Sequence, residues 1–181
     1  MKTEQIAAFT RRTHEIYRRL KEGTLPVEAT LAGLQKLIES GFDSIVDLDA
    51  DPVVPDGWSV ESHAKGGKFD FAPGRIGLYL CEEQKNLLNI EGHKLRKKLK
   101  NRPIFNANLL DWLLRKENKR FIPEGWKGKD VFFWGTIYRS NGGELAVRRL
   151  CVRGGGWCSQ GYHLDYGYGH SSPAAVALTG A

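Results

Sequence analysis

Apolar residues recur at helical intervals in the first part of the chain and at strand intervals in the last. In residues 3–22, Ile6, Phe9, Thr13, Ile16, Tyr17 and Leu20 fall three and four apart, which predicts a helix with one apolar face. Gly23 is a natural stop for it. A second helix is predicted over residues 27–39, with Pro26 near its first turn and Gly41 after its end. Residues 1–43 therefore read as an antiparallel helical hairpin. From 44 to 62 the periodicity vanishes, and Asp47, Asp49, Asp51 and Asp56 stand among Pro52, Pro55 and Gly57. That composition predicts a solvated linker with turns. The Asp-x-Asp-x-Asp spacing lacks the glycine and the distal glutamate of a calcium loop.

Residues 63–181 form the predicted main domain. A strand is expected at 76–80, and a short basic helix at 91–100 that ends before Pro103. Asn106 or Asn108 can cap the next helix, whose Leu109, Leu110, Trp112, Leu113 and Leu114 call for deep burial. Residues 131–139 (VFFWGTIYR) are apolar and aromatic on both faces, the mark of a central strand. Asn141-Gly142-Gly143 predicts a hairpin turn. Residues 144–152 alternate, with a bulge expected between Val147 and Leu150. Gly154-Gly155-Gly156 turns the chain into a third strand at Trp157, and residues 173–178 supply a closing strand. The class is α+β. Pairing the first strand with the last and packing both helices on the sheet gives an element order that matches the C-type-lectin-like fold.

Between the third strand and the closing one lies an unusual run. Of the fifteen residues 158–172, thirteen are Tyr, His, Asp, Ser, Gly or Cys; only Gln160 and Leu164 fall outside that set. A core strand would carry Val, Ile, Phe or Thr, and a linker would carry Lys and Glu. Tyr, Ser and Gly with some His and Asp are what binding loops favour: rigid amphipathic rings among small adaptable residues. The run is accordingly expected to be a recognition surface. Its candidate ligand-binding residues are Cys158, Ser159, Gly161, Tyr162, His163, Asp165, Tyr166, Tyr168, His170, Ser171 and Ser172.

Bulk properties narrow the alternatives. Hydrophobic content of 41% and charged content of 27% are those of a globular domain. No apolar stretch reaches the ~18–20 residues of a membrane span, and the start carries no secretory signal, so the default expectation is cytoplasmic. The three cysteines, Cys81, Cys151 and Cys158, show neither disulfide nor metal spacing, so reduced thiols are expected. Ser159, His163 and Asp165, or Cys158 with His163, contain the groups of a nucleophile arrangement, but no glycine elbow or oxyanion motif frames them. His163, Asp165 and His170 match no familiar metal spacing. No catalytic role, cofactor or metal is expected. The net charge of +6, with the basic stretches at 11–21 and 94–102, makes nucleic acid the alternative partner to a protein or glycan ligand. The aromatic run itself holds no Lys or Arg, which favours the protein or glycan.

From about residue 65 to the end, the blocks GGKFDF, GLYLCEEQKN, EGHKLRKKLKNRPIFNANLLDWLL, IPEGWKGKDVFFWGTIYR and PAAVAL resemble a family of bacterial proteins. In that family these blocks persist while the residues between Trp157 and Pro173 differ from copy to copy. The pattern is similar to the variable proteins of diversity-generating retroelements. Those elements rewrite the 3′ end of a gene by copying a template repeat with errors at adenines, and their products typically adopt a C-type-lectin-like fold. An AAC codon altered at either adenine yields Tyr, His, Asp, Ser, Gly, Cys or Arg, the types that fill this run. The resemblance implies a variable region at about 149–172 on a fixed scaffold, which adds Arg149, Cys151 and Arg153 to the candidate ligand-binding residues. PAAVAL stands where the better-known lectin-fold members carry a closing Gly-Phe-Arg strand.

Overall fold

The structure, a computed structural model, describes residues 3–40 and 44–178. The chain divides into two compact units after Ser44. The first unit holds α1 (Thr3–Lys21) and α2 (Val27–Ser40), close to the two predicted helices. Gly23 takes a φ of 68° past the end of α1, where the Thr24 N–H donates to the Arg19 carbonyl at 2.9 Å. Among the cations of α1, Arg18 is engaged by Glu15 at 2.7 Å and Glu22 at 2.8 Å. The expected stop at Gly41 and the side chains of Ile6 and Phe9 lie outside what is described.

The second unit contains, in order, β1 (Ile45–Asp47), β2 (Ser59–His63), β3 (Lys68–Asp70), β4 (Ile76–Tyr79), α3 (Glu82–Lys85), β5 (Ile90–Glu91), α4 (Gly92–Leu99), α5 (Ala107–Leu114), β6 (Val131–Arg139), β7 (Leu145–Arg153), β8 (Gly156–His163), β9 (Gly167–Tyr168) and β10 (Ala174–Ala177). It is an α+β unit in which all but one of the strand pairings are antiparallel. The main sheet runs β4-β10-β6-β7-β8, with β2 paired to the second half of β6. The expected pairing of first and closing strands is present: Ala174–Ala177 lie antiparallel to Ile76–Tyr79. On its other side β10 touches β6 in parallel, at Ala174 and Phe132.

Residues 44–62 are not a linker. Val46 and Leu48 are buried, β1 pairs with β3, and β2 pairs with β6 from Ser59↔Arg139 to His63↔Thr136. The Asp49 carboxylate accepts the N–H groups of Gly66 and Gly67 at 3.0 and 2.9 Å, so one of the linker-like acids ties this segment to the next. Turn-forming residues here punctuate short strands whose partners come from elsewhere in the chain.

The register shift expected within residues 144–152 arises on the neighbouring strand. β7 pairs with β8 without interruption, whereas Phe132 faces Arg149 and Ile137 faces Val147. Residues 133–136 thus answer Arg148 alone. The start of α5 docks on this irregular stretch. Asn106 caps α5 by accepting the Asn108 N–H at 3.1 Å, while the Thr136 hydroxyl accepts the Ala107 N–H at 3.0 Å. A Cβ at Gly135 would lie 2.9 Å from the Asn106 backbone, so only glycine permits this approach.

Alternation along β6 divides the core in two. Val131 and Phe133 point toward the α5 side, with Leu109, Leu110, Leu113 and Leu150. Phe132 and Trp134 point toward the α4 side, with Leu95, Leu99, Val147, Leu164 and Tyr168. The sheet is therefore covered on both faces near its centre, while β8 lies at its edge.

Candidate functional site

β8 and the two turns that follow it carry the run singled out by composition. Because β7 and β8 stay in register from Ala146↔His163 to Arg153↔Gly156, the period of two sorts the run onto two faces. Ser159, Gly161 and His163 fall on the α5 side; Cys158, Gln160 and Tyr162 fall on the other.

On the α5 side the centre is Arg148, which the sequence reading passed over. Its guanidinium grips Asp111 with both ends, Nη1 to Oδ2 at 2.9 Å and Nη2 to Oδ1 at 2.6 Å, and its Nε donates to the Ser159 hydroxyl at 3.1 Å. Burial works against the arginine's charge, but Asp111 and Tyr138 together more than offset it and raise the arginine pKa further. Gly161 lies directly beneath the Trp58 ring, which a Cβ would strike. Trp58 leans on Tyr138 at 6.0 Å and on His163 at 6.4 Å between ring centres. Ser159 is thus a partner of Arg148, and His163 a partner of Trp58.

On the opposite face Arg149 donates to Asp130 at 2.7 Å and Gln160 at 3.2 Å, and its guanidinium stacks 4.7 Å above the Tyr162 ring. Tyr162 meets Phe132, Tyr168 and Tyr166 at 5.7, 5.1 and 5.2 Å. Cys151 and Cys158 pair across the strands with sulfurs 3.5 Å apart, a proximity their sequence spacing did not announce. Burial, and then the neighbouring Cys158, push the Cys151 thiol up to about 11, so it stays protonated near neutral pH.

The turns are held from inside. Leu164 and Tyr168 are fully buried; the Leu164 N–H donates to the Leu145 carbonyl at 2.8 Å, and the Tyr168 hydroxyl to the His163 carbonyl at 3.1 Å. Burial drives the Tyr168 phenol far above its ordinary pKa. Between these anchors Asp165 and Tyr166 project outward. Farther on, buried Gln84 donates its amide to the carbonyls of Gly169 at 3.0 Å and Ser172 at 2.9 Å, while the Asp130 N–H reaches the Ser171 carbonyl at 2.8 Å.

Of the expected site residues, Arg153, Gly161, Asp165, Tyr166, His170 and Ser171 are exposed, and Arg149, Cys158, Ser159, Tyr162, His163 and Ser172 are half-buried. Cys151 and Tyr168 are interior, at 2% and 0% exposure, and do not belong to the accessible set. Composition grouped them with their neighbours; alternation and the β5–β9 pairing turned them inward. Trp58 and Arg148 were missed. A tryptophan amid prolines and an arginine breaking an apolar alternation are the signals that pointed to them. Among the described residues, the one group of three side chains arranged to hold a cation is Glu91, His93 and Asp165, with ligand atoms within 4.8 Å of one another. It shares Asp165 with the trio considered from sequence but draws Glu91 from the end of β5 and His93 from the start of α4. His93 Nε2 already lies 3.0 Å from Asp165 Oδ1.

Comparison with protein-family models, with curated proteins and with solved structures finds no match.

Proposed function

We propose that this protein is a ligand-binding scaffold of C-type-lectin-like architecture, whose recognition surface is the edge strand β8 and the turns after it, diversified by a retroelement. The observation that carries the proposal is how the run is held. Its backbone is fixed by Gln84, by the Asp130 N–H and by the buried anchors Leu164 and Tyr168, while Tyr166, Asp165, His170 and Ser171 point outward. A loop whose shape rests on backbone bonds accepts many outward side chains, as a library requires. The half-buried rings of Tyr162 and His163 beside Tyr166 supply the aromatic area that anchors a partner. The ligand class that suits such a surface is a folded protein or a glycan.

The test is to sequence the DNA flanking this gene and the gene's 3′ end across many cells. The expected result is a near-copy of the codons for about 149–172, differing mainly at adenines and accompanied by a reverse transcriptase. An invariant 3′ end with no template nearby would remove the mechanism.

A further inference from the structure

We propose that a cavity on the α4 side of the sheet binds a small organic anion: an oxyanion head on a flat apolar body. The cavity, about 770 Å³, opens between α4, β2 and β6. Ligand pockets typically enclose ~300–1,000 Å³, so it has room for a ring system with a charged group.

The charges of α4 are sorted. Lys94 and Lys98 turn to acids, Glu91 at 3.7 Å and Glu83 at 2.8 Å, and Lys98 holds the Glu83 carboxyl down at about 2. Arg96 and Lys97 elsewhere on the helix, and Lys100 just past its end, line the cavity and form no ion pair among the described residues. No Asp or Glu lines it. Three unpaired cations around one concavity make an electropositive site that an anion relieves. Arg96 is already aimed: its Nη2 donates to the Ser62 hydroxyl of β2 at 3.1 Å, which uses one of its five donors and leaves the rest of the fork free.

The interior of the cavity is apolar, with Ile104, Ile137 and Trp134 contributing to its wall. Trp134 is 3% exposed, and its indole N–H is buried without a hydrogen-bond partner. Buried donors are almost always satisfied, and this unmet one belongs to a residue of the cavity wall. Cations on one side and an apolar wall on the other together describe a ligand with a charged head and a ring body. A nucleic-acid strand is the less suitable occupant, because the cations gather round a bounded cavity rather than follow a track.

The experiment titrates the full chain with four probes by calorimetry: 1-naphthyl phosphate, 1-naphthoate, neutral 1-naphthol and inorganic phosphate. One site is expected for each aromatic anion, with 1-naphthol and inorganic phosphate at least tenfold weaker. The double substitution Lys97→Gln/Lys100→Gln, at exposed positions that leave the core intact, should weaken 1-naphthyl phosphate at least tenfold. Trp134→Phe should weaken it severalfold, and Tyr166→Ser should leave it unchanged. A preference for the phosphate over the carboxylate, or the reverse, identifies the head group. Naphthol binding as tightly as the anions, an unaltered Kd in the lysine variant, or no saturable binding of either aromatic anion would overturn the proposal. Binding confined to oligonucleotides, growing with their length and falling steeply with salt, would overturn it in favour of a nucleic-acid surface.

Discussion

Strands β6 and β8 flank the same neighbour, β7, and obey opposite rules. Eight of the nine residues of β6 are buried, whereas none of β8 is fully buried. β6 carries large apolar rings that meet both halves of the core; β8, at the sheet's edge, brings Trp157 against the core but is otherwise built from Cys, Ser, Gly, Gln, Tyr and His. Position in the sheet explains the difference. A strand paired on both sides and covered on both faces contributes through the area it removes from water. An edge strand needs only its ladder to one neighbour, so its outward side chains are free to answer to something else.

The sharpest way to break this contrast is Phe132→Ala. Phe132 has 0% exposure and lies against Tyr162 and Tyr168. Its truncation should cost about 4 kcal/mol in denaturant unfolding; a loss below about 1 kcal/mol would mean that β6 is not the support described. Next comes the tie between the two strands' surroundings. Arg148→Met leaves Asp111 without its bidentate partner and should cost about 3 kcal/mol, while adding Asp111→Leu should recover much of the loss. If the double variant is no more stable than the single one, the cost came from packing and not from an abandoned charge. Gly161→Tyr should cost about 1–2 kcal/mol, since the Trp58 ring must leave its place. That shift is visible as a change in tryptophan emission, and an unchanged spectrum would contradict the placement of Trp58. Smallest is Tyr166→Ser, 53% exposed in the wild type, which should alter stability by less than about 0.5 kcal/mol. A larger loss would show that the turn depends on its outward side chains.

The parts legible in the sequence were those with strong local periodicity. Residues 131–139 announced a central strand because apolar and aromatic residues fall on both faces, and of the two asparagines offered as caps for α5, Asn106 takes the position. The pairing of 76–80 with the closing strand followed from element order and is present. What escaped depended on distant partners. Residues 44–62 have the composition of a linker, yet β2 exists because the second half of β6 needs a neighbour where β10 no longer reaches. Trp58 could not be assigned until Gly161 came to lie beneath it. In the run itself, composition marked the right stretch but could not separate Tyr166, which faces out, from Tyr168, two residues later on a strand paired with β5 and wholly inside.

The place of β10 gives the molecule a built-in proofreader of its own reading frame. This strand follows the run in sequence yet lies between β4 and β6, joining one margin of the sheet to its centre. A ribosome must therefore cross every codon of residues 158–172 in frame before the strand that completes the sheet can be made. A stop or a frameshift within the run removes that strand, whereas an exchange of one outward side chain for another leaves it in place. The fold itself distinguishes a harmless spelling from a broken one, and only chains whose run was read through intact can close the sheet.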